Sequence, residues 1–149
     1  AARKRLKKEK QANARQKKEH YANDIPTRRK AATTWFNRWV LLRDKVTDGC
    51  ISCGTTKTTI KYDAGHYRAA GTHSALRYNP YNVNRQCSAD CNLHKSANII
   101  EYRKGLLRKY GEEVVDFLEG PQPLIKASAG YYQAIEDEYK LKCKELLGE

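Results

Sequence analysis

The sequence predicts a mainly helical α+β protein in which a small, zinc-stabilised β element is flanked by helices. Two close cysteine pairs, Cys50-x2-Cys53 and Cys87-x3-Cys91, bracket a segment rich in β-branched and aromatic residues. Apolar residues recur at helical spacing on both sides of that segment. The hydrophobic fraction is only 40% of 149 residues, so the core is small and a metal staple is in keeping with it.

Residues 1–20 contain Lys, Arg, Gln, Ala and Glu but no Gly or Pro. They favour a helix with almost nothing to bury, which should fray or stay disordered until a partner binds. Pro26 is expected to end that segment. A helix should follow from about Thr33, where Trp35, Trp39, Leu42 and Val46 recur and are read as core packing. Gly49 ends it, and Cys50-Ile51-Ser52-Cys53-Gly54 makes a tight knuckle. Residues 58–68 read as one or two short strands, residues 69–80 as an irregular loop, and residues 82–86 as a short extended piece. From Cys91 a helix should run toward Tyr110. Gly111 is its C-cap, and Glu112 and Glu113 open the next helix. After Gly120, Pro121 and Pro123, the last helix should cover residues 126–147 with Tyr132, Ile135, Tyr139, Cys143 and Leu146 on one face. The organisation is therefore a basic arm (1–30), a zinc-bound core with flanking helices (31–120) and a C-terminal helix suited to dimerisation (121–149).

The formal charge is +12, and residues 1–30 hold 12 Lys or Arg against 3 acids. An excess of this kind points to a polyanion. A membrane is disfavoured, because no apolar run approaches a span and Leu6 is nearly alone in the arm. Nucleic acid is the expected partner. There is no Met, so residue 1 is not expected to be the natural start.

Two close cysteine pairs on separate turns can supply the four thiolates of a structural Zn²⁺. Disulfides are the weaker alternative, since neither pair spacing suits an internal bridge and no secretory leader is expected. Such a zinc has no open coordination position and should not perform chemistry. It closes residues 54–86 into a loop. Within or just beyond that loop lie Asp63, His66, Asn79, Asn82, Asn84, Asn92 and His94. A histidine base, an oxygen-ligated cation and a rigid holder are what phosphodiester hydrolysis requires. His20 and His73 are expected to be solvent-exposed.

The ordered motifs CISCG, YDAGHYR, LRYNPYNVNRQC and CNLHKSANIIEYR resemble the phage NinG/Rap recombination nuclease family. More distantly they are similar to HNH (ββα-metal) nucleases and the junction resolvase endonuclease VII. The resemblance covers about residues 31–147 and is densest over 50–103; the further Cys-rich segment that the family often carries upstream lies outside these residues. It implies a ββα-metal core in which His66 is the general base and Asn82 braces the loop that carries it. Asn92 takes the place of the final catalytic-metal ligand. The usual acid before the base is Gly65 here, so Asp63 would have to reach the metal through a bulge or bend in the strand. His94 is the alternative ligand, although two residues along an α-helix it would point roughly 200° from Asn92. Arg68, Arg77, Arg85, Lys95 and Arg103 are read as phosphate contacts that position the duplex.

The resemblance further implies a structure-selective endodeoxyribonuclease using Mg²⁺ or Mn²⁺. It would act on D-loops and Holliday junctions as a homodimer in the cytoplasm of a bacterial host. Two alternatives stand beside it: an HNH nickase on linear duplex, and a zinc module that binds DNA without cutting it.

Overall fold

The computed structural model describes residues 1–149 and contains five α-helices and one two-stranded sheet. The first helix, α1 (Ala2–Asn23), buries none of its residues. The second, α2 (Ile25–Arg43), begins at Ile25 and not at Thr33. Asp24 is its N-cap, accepting a hydrogen bond from the Thr27 amide at 3.1 Å. Pro26 therefore opens this helix instead of closing the basic segment, at a position where a missing N–H costs nothing.

The buried stripe of α2 is Ala32, Phe36 and Val40, one position around the helix from the expected tryptophan stripe. It packs on α5 (Ala129–Leu147), whose Tyr132 and Tyr139 join the same cluster together with Tyr78 and Val83. The Phe36 and Tyr139 rings meet edge to face at 4.8 Å between centroids, a favourable geometry for aromatic pairs. Trp35 and Trp39 lie at the margin of the cluster, with Arg38 and Lys140 over one ring and Arg43 and Lys142 over the other. Cys143 is buried as expected, whereas Leu146 is exposed. The Tyr132 and Tyr139 face of α5 is thus packed on α2, while Leu141, Leu146 and Leu147 of the same helix are exposed.

The sheet pairs β1 (Tyr62–His66) with β2 (Val83–Cys87) in antiparallel register, from Tyr62 opposite Cys87 to His66 opposite Val83. Every residue of β1 has its partner, so the strand carries no bulge. A second cluster, including Leu76, Tyr102, Leu106, Val115 and Leu118, joins α3 (Ile99–Tyr110) and α4 (Glu112–Glu119) to the loop after β1. Gly105 lets α3 cross the knuckle, since a Cβ there would run into the Ile51 carbonyl.

The helix expected to run unbroken from Cys91 to Tyr110 is interrupted. Ser88–His94 forms a π-helical turn, and Ser96–Asn98 a 3-10 turn, before α3 starts. Ser96, Ala97 and Asn98 have φ values of 45°, 69° and 45°, a region that costs non-glycine residues energy. Tertiary contacts hold them there. Gln86 Nε2 donates to the Ala97 carbonyl at 2.5 Å, the Ser52 hydroxyl donates to it at 3.4 Å, and Asn98 Nδ2 points at Cys91 Sγ. No helix is long and apolar enough to cross a membrane.

Candidate metal centre and cleft

The four cysteine sulfurs of Cys50, Cys53, Cys87 and Cys91 all lie within 4.8 Å of one another. Cys53 and Cys87 are 3.7 Å apart, close to the edge of a tetrahedron built on Zn–S bonds of about 2.3 Å. The knuckle presents amides to these sulfurs: Cys53 N and Cys87 N point at Cys50 Sγ from 3.5 and 3.3 Å. Burial opposes ionisation of Cys50, but those amides outweigh it and lower its thiol below the usual range. Burial pushes Cys87 and Cys91 up, and the neighbouring Cys50 adds to the shift. Four thiolates this close need a cation among them. The donor set fits a structural metal such as zinc, held by the residues the spacing singled out.

This is the only group of three or more His, Cys, Asp or Glu donors close enough to share one ion. His66, His94 and Asp63 do not converge. Asp63 and Asn92 do meet, with Asn92 Nδ2 donating to Asp63 Oδ2 at 3.1 Å. They line an open cleft of about 570 Å³ together with Lys61, Ser88, Asp90 and Leu93. His66 is not part of that lining. On an unbulged strand, residues three apart point to opposite faces and stand about 10 Å apart. The bend expected to bring Asp63 to His66 is absent, and Gly65 has another role. A Cβ there would collide with the Gln86 side chain packed across the strand pair. His94 is exposed at the end of the π-helical turn and lies outside the cleft.

His66 closes β1, and its Nε2 lies 2.9 Å from the Arg77 carbonyl. A carbonyl only accepts, so Nε2 carries the proton and Nδ1 keeps its lone pair. Burial lowers the His66 pKa below its ordinary value, outweighing the carbonyl contact that favours the cation. Asn82, fully buried, clamps the loop that follows this histidine. Its Oδ1 accepts from the Arg68 amide at 2.8 Å, while Nδ2 donates to the Arg68 and Leu76 carbonyls at 3.0 Å each.

The expected phosphate contacts divide. Lys95 is exposed without a side-chain partner, and Arg68 lies over the Tyr67 ring. Arg77 contributes its backbone to His66. Arg85 is not available, since its guanidinium donates to the Asp44 and Leu41 carbonyls at the end of α2. Arg103 is paired with Glu119 at 2.6 Å.

The profile of the family described as the bacteriophage lambda NinG protein matches residues 1–149. The chain belongs to the NinG family. It is 38% identical to protein ninG of Escherichia phage lambda over 117 residues, covering 78% of this chain and 56% of that protein. It is 37% identical to the ninG proteins of Escherichia phage 933W and Salmonella phage P22, again across 78% of this chain and 57% and 56% of theirs. The chain thus spans just over half the length of these curated NinG relatives. No solved structure matches it.

Two features of this NinG-family site were not anticipated. Asp90 joins Asp63 and Asn92 on the cleft; its position between Cys87 and Cys91 was the available signal. The other is a buried network around Asp44 and Asn84. Asn84 Oδ1 accepts from Lys109 Nζ at 2.9 Å and from the Tyr110 hydroxyl at 2.8 Å, and Asn84 Nδ2 donates to the Tyr102 hydroxyl at 3.2 Å. No local sequence pattern marks it.

Proposed function

We propose that this NinG-family chain is the nuclease core of a divalent-metal-dependent HNH endonuclease that cuts branched recombination intermediates, D-loops and four-way junctions among them. The observation that carries the reading is the fixed state of His66. A backbone carbonyl holds its proton on Nε2, and burial favours the neutral ring, so Nδ1 is available as a base near pH 7. In the reaction a water oxygen forms the new bond to phosphorus, its proton passes to Nδ1, and the bond from phosphorus to the leaving sugar oxygen breaks. Asn82 fixes the backbone from which His66 acts.

Asp63 offers a carboxylate oxygen to a hard cation that keeps open positions for water and phosphate, and Asn92, whose Nδ2 donates to that carboxylate, would turn its Oδ1 to the ion instead. Mg²⁺ or Mn²⁺ held there would neutralise charge developing on the phosphate and leaving oxygen. Preference for branched DNA rests on the resemblance to phage recombination nucleases. Symmetric resolution of a junction needs two cuts, which a homodimer supplies.

One observation favours a second reading, a zinc module that binds DNA without cutting it: the unbulged β1 holds Asp63 and His66 apart. The test compares cleavage of labelled four-way junction, D-loop and linear duplex by wild type and His66→Ala, with Mg²⁺, Mn²⁺ or EDTA. Cation-dependent cutting of branched DNA that the substitution abolishes, with zinc content intact, supports the nuclease. Equal cutting of linear duplex keeps the chemistry and removes the branch preference. Binding without cleavage in every condition assigns the chain to the second reading.

A further inference from the structure

Helix α1 lies outside everything described above. It spans 22 residues with none buried, although helices of globular proteins ordinarily hide one face. It holds nine Lys or Arg against two Glu, and they are not scattered. At about 100° per residue, all the cations except Arg5 fall in one half of the helix cylinder, and neither Glu lies in that half. Arg5, on the other half, is tied to Glu9 at 3.2 Å. The helix is about 33 Å long, cationic along one side and neutral to acidic along the other.

We propose that α1 is a duplex-DNA-binding helix that lays its cationic half into the major groove of a double helix. The B-form major groove is about 12 Å wide and admits an α-helix, whereas the A-form groove of RNA does not. Other anionic partners fit less well. A groove on an acidic protein needs apolar anchors one or two turns apart, and a membrane needs an apolar stripe. The large apolar side chains of α1 are Leu6 and Tyr21, at opposite ends of the helix. Helix α1 also leads into a helix that contacts the loop holding His66. It joins α2 through Asp24, and Thr33 on α2 bonds the hydroxyl of Tyr78 at 2.9 Å. Tyr78 directly follows Arg77, whose carbonyl holds His66. The proposal goes beyond the nuclease reading and stands without it.

The test is anisotropy of a fluorescein-labelled 20-bp duplex in buffer without added Mg²⁺ or Mn²⁺, titrated with the full chain between 50 and 200 mM salt. The variant carries Lys4→Gln, Lys7→Gln, Lys10→Gln and Lys18→Gln, since Gln preserves helix propensity. Each phosphate contact contributes about 0.9 to the slope of log affinity against log salt. Over this fourfold rise in salt, wild type should therefore lose roughly 100-fold more affinity than the variant. A second variant permutes the residues of α1 at constant composition so that the cations surround the helix, and it should bind more weakly. Circular dichroism and zinc content check that both variants fold. An unchanged salt slope in the first variant overturns the proposal. So does equal affinity of the permuted helix, or tighter binding to A-form RNA or anionic phosphatidylserine vesicles than to the duplex.

Discussion

Replacing Asp44 by Asn should cost the fold about 3–5 kcal/mol, the usual loss when one partner of a buried ion pair is removed. Asp44 is 4% exposed. Arg43 grips it with two parallel bonds of 2.8 Å, Lys109 Nζ donates at 2.9 Å, and the Arg85 amide donates at 3.1 Å. An amide would leave Arg43 and Lys109 as poorly compensated cations and turn an NH2 group toward other donors. For a chain near 150 residues, each kcal/mol moves Tm by about 2–4 °C, so a fall of roughly 6–20 °C is expected. Burial raises the Asp44 pKa, but Arg43 and Lys109 outweigh it and hold the carboxyl below its ordinary value. A depressed folded pKa gives stability that is complete above the unfolded value and lost only as pH falls through the folded one. The gap between wild type and Asp44→Asn should therefore stay constant from pH 7 to pH 5. Thermal melts by circular dichroism, with bound zinc quantified at each pH, read this directly. A Tm change under about 2 °C, or a gap already shrinking between pH 7 and pH 5, would refute the assignment of Asp44 as a buried ionised anchor.

Cys91→Ser should abolish metal binding at the sulfur cluster, while Cys143→Ser, buried beside Trp35 of α2, should leave metal content unchanged by atomic emission; equal retention in both would contradict the four-sulfur site. Gly65→Ala should destabilise by about 1–3 kcal/mol through overpacking against Gln86. Gln86→Ala should relieve part of that loss in a double-mutant cycle, and simple additivity would show that the close approach is not the cause. If His66 is the base, kcat/KM should rise with pH through an inflection below about pH 6.5, because burial lowers its pKa and only the neutral ring accepts a proton. An inflection above that value would count against His66.

The parts of the fold that were legible in the sequence are those with local signals. Cysteine spacing gave the knuckle and all four sulfur ligands. Glycines at 111 and 120 marked helix ends, and the short extended run before Cys87 became β2. The misreadings share a different cause. Asp24-Ile-Pro-Thr carries a capping residue and a first-turn proline, but the surrounding basic residues disguised it as part of a tail. Trp35 and Trp39 are the bulkiest apolar residues of α2, yet α5 selects the neighbouring Ala32, Phe36 and Val40. The break at residues 96–98 depends on Gln86 and Ser52 reaching the Ala97 carbonyl, contacts that span 11 and 45 residues of sequence. At the site, the meeting of Asp63 and Asn92 followed from the motif order. The separation of Asp63 from His66 did not, since a bulge is set by pairing partners and not by Gly65 alone.

The two staples explain how so small a sheet can hold reactive side chains in place. A two-stranded ribbon is marginal alone, and β1 and β2 have five residues each. The cysteine cluster fixes one end of β2, because Cys87 closes the strand and Cys91 anchors the turn that presents Asn92 to Asp63. The Asp44 and Asn84 network grips the middle of β2 from α2 and α3. Tyr102 extends that grip to β1, donating to the Gly65 carbonyl at 2.6 Å, one residue before His66. Asn82, just ahead of β2, holds the loop beyond His66. Each candidate residue is thus positioned from β2 by a different anchor: Asn92 by the sulfur cluster, and His66 by buried hydrogen bonds. That division holds the Asp63 cleft and the His66 loop in place independently of one another.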